Sequence, residues 1–157
     1  MAGRRPGWST AAQNVVDRLF LYGTMRAGQT ARSMIAEHVS AAEPATMTGR
    51  LWAFPDGYPG FLPGGPGQVV GELVTLRDLA AAFPLLDAYE GAEFARALEC
   101  ARTADGRELW AWVYCIANPD MVALGEPIES GDWVAHLRAS GFGPRTSGQD
   151  PDPEPEA

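Results

Sequence analysis

The chain has 157 residues, 46% of them apolar and 20% charged, with a net charge of −8. That is enough chain for one domain with a real core, and the composition is that of an ordinary soluble globular protein. The acidic balance argues against nonspecific nucleic-acid binding, which needs Lys and Arg clustered against phosphate, although part of it sits in the tail at Asp150, Asp152, Glu154 and Glu156. No apolar run approaches the roughly 20 residues of a membrane span. Arg4 and Arg5 are not followed by an apolar stretch, so no secretory signal is expected and a cytoplasmic location is. Cys100 and Cys115 are too few for a disulfide framework, and with His38 and His136 they make no zinc spacing; neither metal nor cofactor is expected.

Taken in order, residues 1–17 read as a flexible segment in which Ser9 or Thr10 caps a turn of helix through Ala11, Ala12 and Val15. Leu19 to Tyr22 is a short apolar run with the character of a buried strand. Met34, Ile35 and Val39 stand at helical spacing and predict a helix over 30–39, with 40–46 as a connector. Met47 to Phe54 alternates as a second strand, with Trp52 and Phe54 suggesting cover on its second face. The Pro- and Gly-rich residues 55–68 read as a rigid loop. Its apolar side chains Tyr58, Phe61 and Leu62 either line a pocket or tie the loop down.

Gln68 to Leu76 is a third strand, and a helix follows over 77–89 with Leu79, Phe83, Leu86 and Tyr89 on its buried stripe. Pro84 should kink or split that helix, and Gly91 is suited to cap it. Phe94 to Arg102 and Glu108 to Ile116 form a hairpin across Asp105-Gly106. On its second strand Trp110, Trp112 and Tyr114 share one face, Ala111, Val113 and Cys115 the other. Residues 117–129 are loop, and Ser130-Gly131-Asp132 starts a terminal helix over 131–140 that docks Trp133. From 143 the chain is an acidic Pro-rich tail expected to be disordered. The sum is one mixed α+β domain, residues 18–142, around a curled mixed sheet or small β-barrel with flanking helices.

One stretch carries chemistry on its own terms. Leu19 to Tyr22 runs straight into Gly23-Thr24-Met25-Arg26. A strand that ends in a glycine turn leaves backbone N–H groups without ladder partners, and such a turn cradles an anion or a carbonyl oxygen.

Tyr22-Gly23-Thr24-Met25-Arg26, then Leu86-Asp87-Ala88-Tyr89-Glu90-Gly91, then Trp112-Val113-Tyr114, then Ile128-Glu129-Ser130-Gly131-Asp132-Trp133 follow in that order. Together they resemble the gamma-glutamylcyclotransferase-like family, with its AIG2-like branch and BtrG-like bacterial members, over roughly residues 18–140. The resemblance implies a six-stranded or similar small barrel and cyclisation of a γ-glutamyl amide to 5-oxoproline with release of an amine. It implies that Tyr22, Gly23, Thr24 and Met25 bind the glutamyl part and that Glu90 is catalytic. Many members carry a tyrosine shortly after that glutamate and ahead of an arginine; here Phe94 stands there, before Arg96.

That chemistry suits these residue types. The α-amine attacks its own γ-carbonyl, so proximity supplies much of the rate. One carboxylate takes the proton from the ammonium and returns it to the leaving amine. Glu90, at a helix C-terminus, should have a raised pKa through burial and the local negative potential. The N–H groups of the Gly23 turn can stabilise the oxyanion or grip a carboxylate, and Arg26 can pair with a substrate carboxylate or face solvent. Tyr58 and Tyr114 are further candidates for the pocket wall. The expected partner is a small γ-glutamyl amide, with no nucleic acid and no membrane, and with monomer and homodimer both open. The competing reading is a noncatalytic small-molecule-binding or regulatory module on the same fold.

Overall fold

The computed structural model describes residues 16–140. The expected helical turn at 11–15 and the acidic tail from 143 lie outside the described residues. Five strands close into a ring: β1 (Arg18–Leu21), β2 (Val39–Ala53), β3 (Pro59–Leu76), β4 (Phe94–Thr103) and β5 (Glu108–Ile116). Around the ring the order is β3-β1-β5-β4-β2, and β2 pairs with β3 to complete it. The β1–β5 pairing is parallel and the others are antiparallel. A two-residue strand, β6 (Glu126–Pro127), adds to the outside of β2. The closed ring therefore has five strands rather than six.

Strand alternation divides the apolar residues of β1 between two cores. Phe20 and Tyr22 pack inside the barrel with Met47, Phe61, Val69, Leu73, Val113 and Cys115. Leu19 and Leu21 pack outside, against Met25, Ile35, Leu79, Leu86 and Tyr114. Helix α1 (Leu79–Glu90) covers this outer face through Leu79 and Leu86, both fully buried. Helix α2 (Trp133–Ala139) docks Trp133 into the barrel core. No helix among the described residues is long and apolar enough to cross a membrane.

Local expectations fail where tertiary pairing takes over. Residues 30–39 form two short 3₁₀ turns, Arg32–Met34 and Ala36–His38, instead of a helix. Neither has a side-chain cap, and Val39 is already drawn into pairing with Leu76, so too few residues remain to propagate an α-helix. The expected connector 40–46 belongs to β2. Pro44 is tolerated there because β2 meets β4 only from Ala45 onward and is an edge strand before it. Most of the expected loop 55–68 belongs to β3, which pairs with β2 from Pro59 to Pro63, slips register, and resumes at Gln68. Its glycines suit that crowded ladder: a Cβ on Gly60 would sit 2.6 Å from the Phe54 ring.

Pro84 does not divide α1, which runs on through it. Tyr89 is not on the buried stripe; it is 46% exposed. The hairpin, the strand beginning at Leu19 and the Trp133 helix stand where the sequence pattern puts them. Within residues 117–129 a 3₁₀ turn, Pro119–Leu124, leads into β6.

Candidate active site

A cavity of about 300 Å³ opens where the end of β1 meets the end of α1. That is the lower end of the roughly 300–1,000 Å³ typical of ligand sites. Tyr22, Gly23, Thr24, Met25, Tyr58, Glu90 and Tyr114 all line it, joined by Pro59, Tyr89, Glu93 and Phe94. Seven of the eight residues singled out from sequence therefore share one cavity. Arg26 does not line it. Its guanidinium pairs with Asp132 at 2.9 Å, and both side chains are largely buried, so it ties the turn to the start of α2. The same carboxylate caps α2 by accepting from the N–H groups of Val134 and Ala135. Burial works against ionisation of Asp132, but Arg26 and these N–H donors outweigh it and lower its pKa.

The Tyr22–Met25 turn forms because β1 ends at Leu21 and the chain doubles back, with the Arg26 N–H donating to the Gly23 carbonyl at 3.1 Å. Gly23 is required by space: a Cβ there would lie 2.6 Å from Cγ of Pro59. The N–H groups of Thr24 and Met25 have no acceptor among the described residues. They are the kind of donors that meet an anionic or carbonyl oxygen.

Glu90 is the last residue of α1. Gly91 ends the helix at φ 80°, a value costly for any residue with a Cβ, and its N–H donates to the Asp87 carbonyl at 3.0 Å. Among the described residues the Glu90 carboxyl has no hydrogen-bond or ion-pair partner. Burial pushes its pKa up to about 7. A buried carboxyl with no donor keeps its proton more readily, because the charged form loses hydration without compensation. Two phenols feel its charge. Tyr22 titrates well above its ordinary value through burial and then Glu90, and Tyr114 is raised by burial, by Asp87 and by Glu90.

The tyrosines are held individually. Tyr22 lies against Phe61 with ring centres 5.5 Å apart and donates its hydroxyl to the Tyr114 carbonyl at 2.6 Å. Tyr114 donates to Oδ1 of Asp87 at 2.6 Å. Tyr58 both lines the cavity and anchors its own turn, donating to Glu93 at 3.2 Å and meeting Phe94 edge-on at 6.0 Å. Burial and then Glu93 raise its pKa. The Thr24 and Tyr89 hydroxyls share a hydrogen bond of 3.1 Å that spans from the turn to α1.

Sequence reasoning missed Pro59, Tyr89 and Glu93 as wall residues, and it missed Asp87 and Arg96 as a linked pair. Asp87 was visible inside Leu-Asp-Ala-Tyr-Glu-Gly, one turn of helix ahead of Glu90. Nothing in the pattern marked Pro59, which reaches the cavity only through the pairing of β3. Phe94 stands in the wall without a hydroxyl, as its sequence requires.

The fold recurs in solved structures. YkqA from Bacillus subtilis is 24% identical, with a TM-score of 0.63 over 80% of this chain and 42% of that one, so this chain spans less than half of that protein. The protein c4763, specific to uropathogenic E. coli, is 22% identical, with a TM-score of 0.59 over 80% of this chain and 95% of that one. An AIG2-like protein from Mus musculus is 20% identical, with a TM-score of 0.55 over 85% of this chain and 98% of that one. At these identities the likeness is one of fold. No curated protein sequence matches this one closely enough to count as a relative. The family model described as gamma-glutamyl cyclotransferase, AIG2-like, matches residues 19–135, most of the chain and every residue of the cavity wall, and the chain belongs to that family.

Proposed function

We propose that the protein is a γ-glutamyl cyclotransferase that converts a small γ-glutamyl amide into 5-oxoproline and a free amine, with Glu90 as the proton carrier. The observation that carries this reading is Glu90 itself: a carboxyl in a cavity wall with no partner among the described residues, and with a pKa raised to about 7. A general acid–base works best when its pKa lies near the operating pH.

The reaction needs only what this cavity offers. The substrate's α-ammonium gives a proton to the Glu90 carboxylate. The freed amine attacks the γ-carbonyl carbon, forming the ring N–C bond, and the carbonyl oxygen becomes an oxyanion. The Thr24 and Met25 N–H groups are suited to receive that oxygen. The intermediate collapses and the original amide C–N bond breaks as the protonated Glu90 returns its proton to the departing nitrogen; Glu90 then takes the second proton from the ring nitrogen, leaving the neutral lactam, and passes it to the released amine, which departs as an ammonium. Attacking and leaving groups begin on one molecule, so the cavity has only to fold the chain and exclude water. Tyr22, Tyr58, Phe94 and Tyr114 form the wall for that purpose. Arg26, held by Asp132, is assigned to the architecture of the turn rather than to substrate.

The test is mass-spectrometric detection of 5-oxoproline from γ-glutamyl-alanine, glutathione, ε-(γ-glutamyl)-lysine and a γ-glutamyl-aminobutyryl thioester. Release from at least one substrate, reduced about 10²-fold or more in Glu90→Gln, is the expected result. Calorimetric binding of 5-oxoproline with no turnover of any substrate would favour the noncatalytic binding module.

A further inference from the structure

We infer that Asp87 is a positioning residue that, through Arg96 and Tyr114, clamps the last turn of α1 onto β4 and β5 and so holds Glu90 in the cavity wall. The inference rests on the reading of Glu90 as proton carrier. Apart from the Thr24–Tyr89 hydrogen bond, that end of α1 has little buried apolar surface to fix it. Its fully buried anchors are Leu79, at its start, and Leu86, one turn before Glu90. Beyond Leu86 the side chains of Asp87, Ala88 and Tyr89 face outward or sideways, and the helix then stops at Gly91.

Asp87 supplies a charged attachment there. Its carboxylate takes a bidentate contact from Arg96 on β4, Nε to Oδ1 at 2.8 Å and Nη2 to Oδ2 at 3.1 Å. The Tyr114 hydroxyl on β5 donates to Oδ1 as well, at 2.6 Å. Arg96 grips the helix a second time. Its guanidinium lies 3.8 Å from the centre of the Phe83 ring and 5.4 Å from that of Trp112, and those two rings meet edge-on at 5.3 Å. Phe83 and Asp87 are four residues apart and share one face of α1, so one arginine holds two successive turns. A planar, forked guanidinium suits this double task, stacking on one side and chelating on the other. Arg96 and then Tyr114 keep the Asp87 carboxyl ionised below its ordinary range, against burial, so the clamp stays closed at neutral pH.

The clamp also joins the two halves of the cavity. Tyr114 touches Asp87 through its hydroxyl and receives the Tyr22 hydroxyl on its carbonyl, at 2.6 Å in each case. The Tyr22 turn, which meets the substrate in the proposed reaction, is thereby referenced to the helix that carries Glu90.

The test reads Glu90 directly, without turnover. Carbon-13 carboxyl shifts followed against pH give the Glu90 midpoint in wild type, Asp87→Ala, Asp87→Asn, Arg96→Ala and Tyr114→Phe. Each is compared beside kcat and KM for 5-oxoproline release. The titratable groups facing Glu90 are Tyr22 from the turn after β1, Tyr58 from the turn before β3, Tyr114 from β5, and Tyr89 and Glu93 on its own segment. The phenols of Tyr22, Tyr58 and Tyr114 are raised above their ordinary value and stay neutral through the range used.

In wild type the midpoint is expected near 7. In Asp87→Ala it should fall toward the ordinary value of 4.5 as the helix end loosens and water reaches the carboxyl. There kcat should drop about 10- to 100-fold while KM stays within about threefold. Asp87→Asn, which keeps an acceptor for Tyr114, should lie between wild type and Asp87→Ala. Arg96→Ala should follow Asp87→Ala, and Tyr114→Phe should move in the same direction by less.

An unchanged midpoint in folded Asp87→Ala, or in folded Arg96→Ala and Tyr114→Phe if the first does not fold, overturns the inference. So does a loss that falls wholly in KM. A wild type that releases no 5-oxoproline from any substrate defeats the cyclotransferase reading instead, and the titration still decides whether Asp87 positions Glu90.

Discussion

The Glu90 carboxyl has no donor among the described residues, and its burial has a thermodynamic sign. Its folded pKa of about 7 lies above the ordinary 4.5. Below about pH 4.5 the carboxyl is protonated in folded and unfolded chains alike and contributes nothing to stability. Between there and about pH 7 only the unfolded chain releases the proton, so stability falls as pH rises through that window. Glu90→Gln should therefore be more stable than wild type at pH 8, by about 1–2 kcal/mol once solvent screening is allowed for, and equal to it at pH 4. Urea unfolding at the two pH values checks this; equal midpoints at pH 8 would mean a solvated carboxyl of ordinary pKa. Activity should have the opposite trend, with kcat/KM climbing through about pH 7 as Glu90 ionises. At this scale the sequence was informative about identity and poor about partners. Tyr22, Gly23, Thr24, Met25, Tyr58, Glu90 and Tyr114 were all named before any geometry. What each hydroxyl or carboxylate touches depends on strands distant in sequence, and so Arg26, open in the sequence between substrate and solvent, has Asp132 as its partner instead.

Among the elements, α2 shows how a short helix is held. It has only seven residues, too few to persist alone. The Asp132 cap, the Arg26 pair and burial of Trp133 fix it. Asp132→Ala should cost about 1–2 kcal/mol through loss of the cap and the ion pair, seen as a lower thermal midpoint. Turnover should suffer as well, because the Tyr22–Arg26 turn loses its tether. The Ser-Gly-Asp-Trp signal was legible because a cap acts within three residues. The 3₁₀ turns at Arg32–Met34 and Ala36–His38 were not, because helical spacing of Met34, Ile35 and Val39 records burial, and burial here comes from packing under β1 and β3. The first half of β3, residues 59–67, was mistaken for loop for the same reason in reverse. Proline and glycine weaken local strand preference, but pairing with β2 along most of its length decides the conformation.

For the molecule as a whole, barrel closure links the cavity to the core. Phe61 is fully buried on β3, within the strand that the sequence pattern left as loop, and its ring supports Tyr22. Phe61→Ala should destabilise the protein by about 3–5 kcal/mol, measured by denaturant unfolding. If ring closure and cavity form one cooperative unit, any folded fraction of that variant should also lose the affinity for 5-oxoproline that the proposed function expects of wild type. The two cores, one inside the barrel and one between barrel and α1, explain why both faces of β1 are apolar. The sequence by itself determined the mixed α+β class, the buried strand at Leu19, the hairpin at Asp105-Gly106, the capped Trp133 helix and the identity of half the cavity residues. These follow from short-range periodicity, turn chemistry and motif. Only the tertiary structure decided the five-stranded closure, the parallel β1–β5 pairing, the length of β2 and β3, and the attachment of Asp87 to Arg96 and Tyr114. Each of these depends on which distant strands lie side by side, and that is settled by the total burial of the closed barrel rather than by any local run of residues.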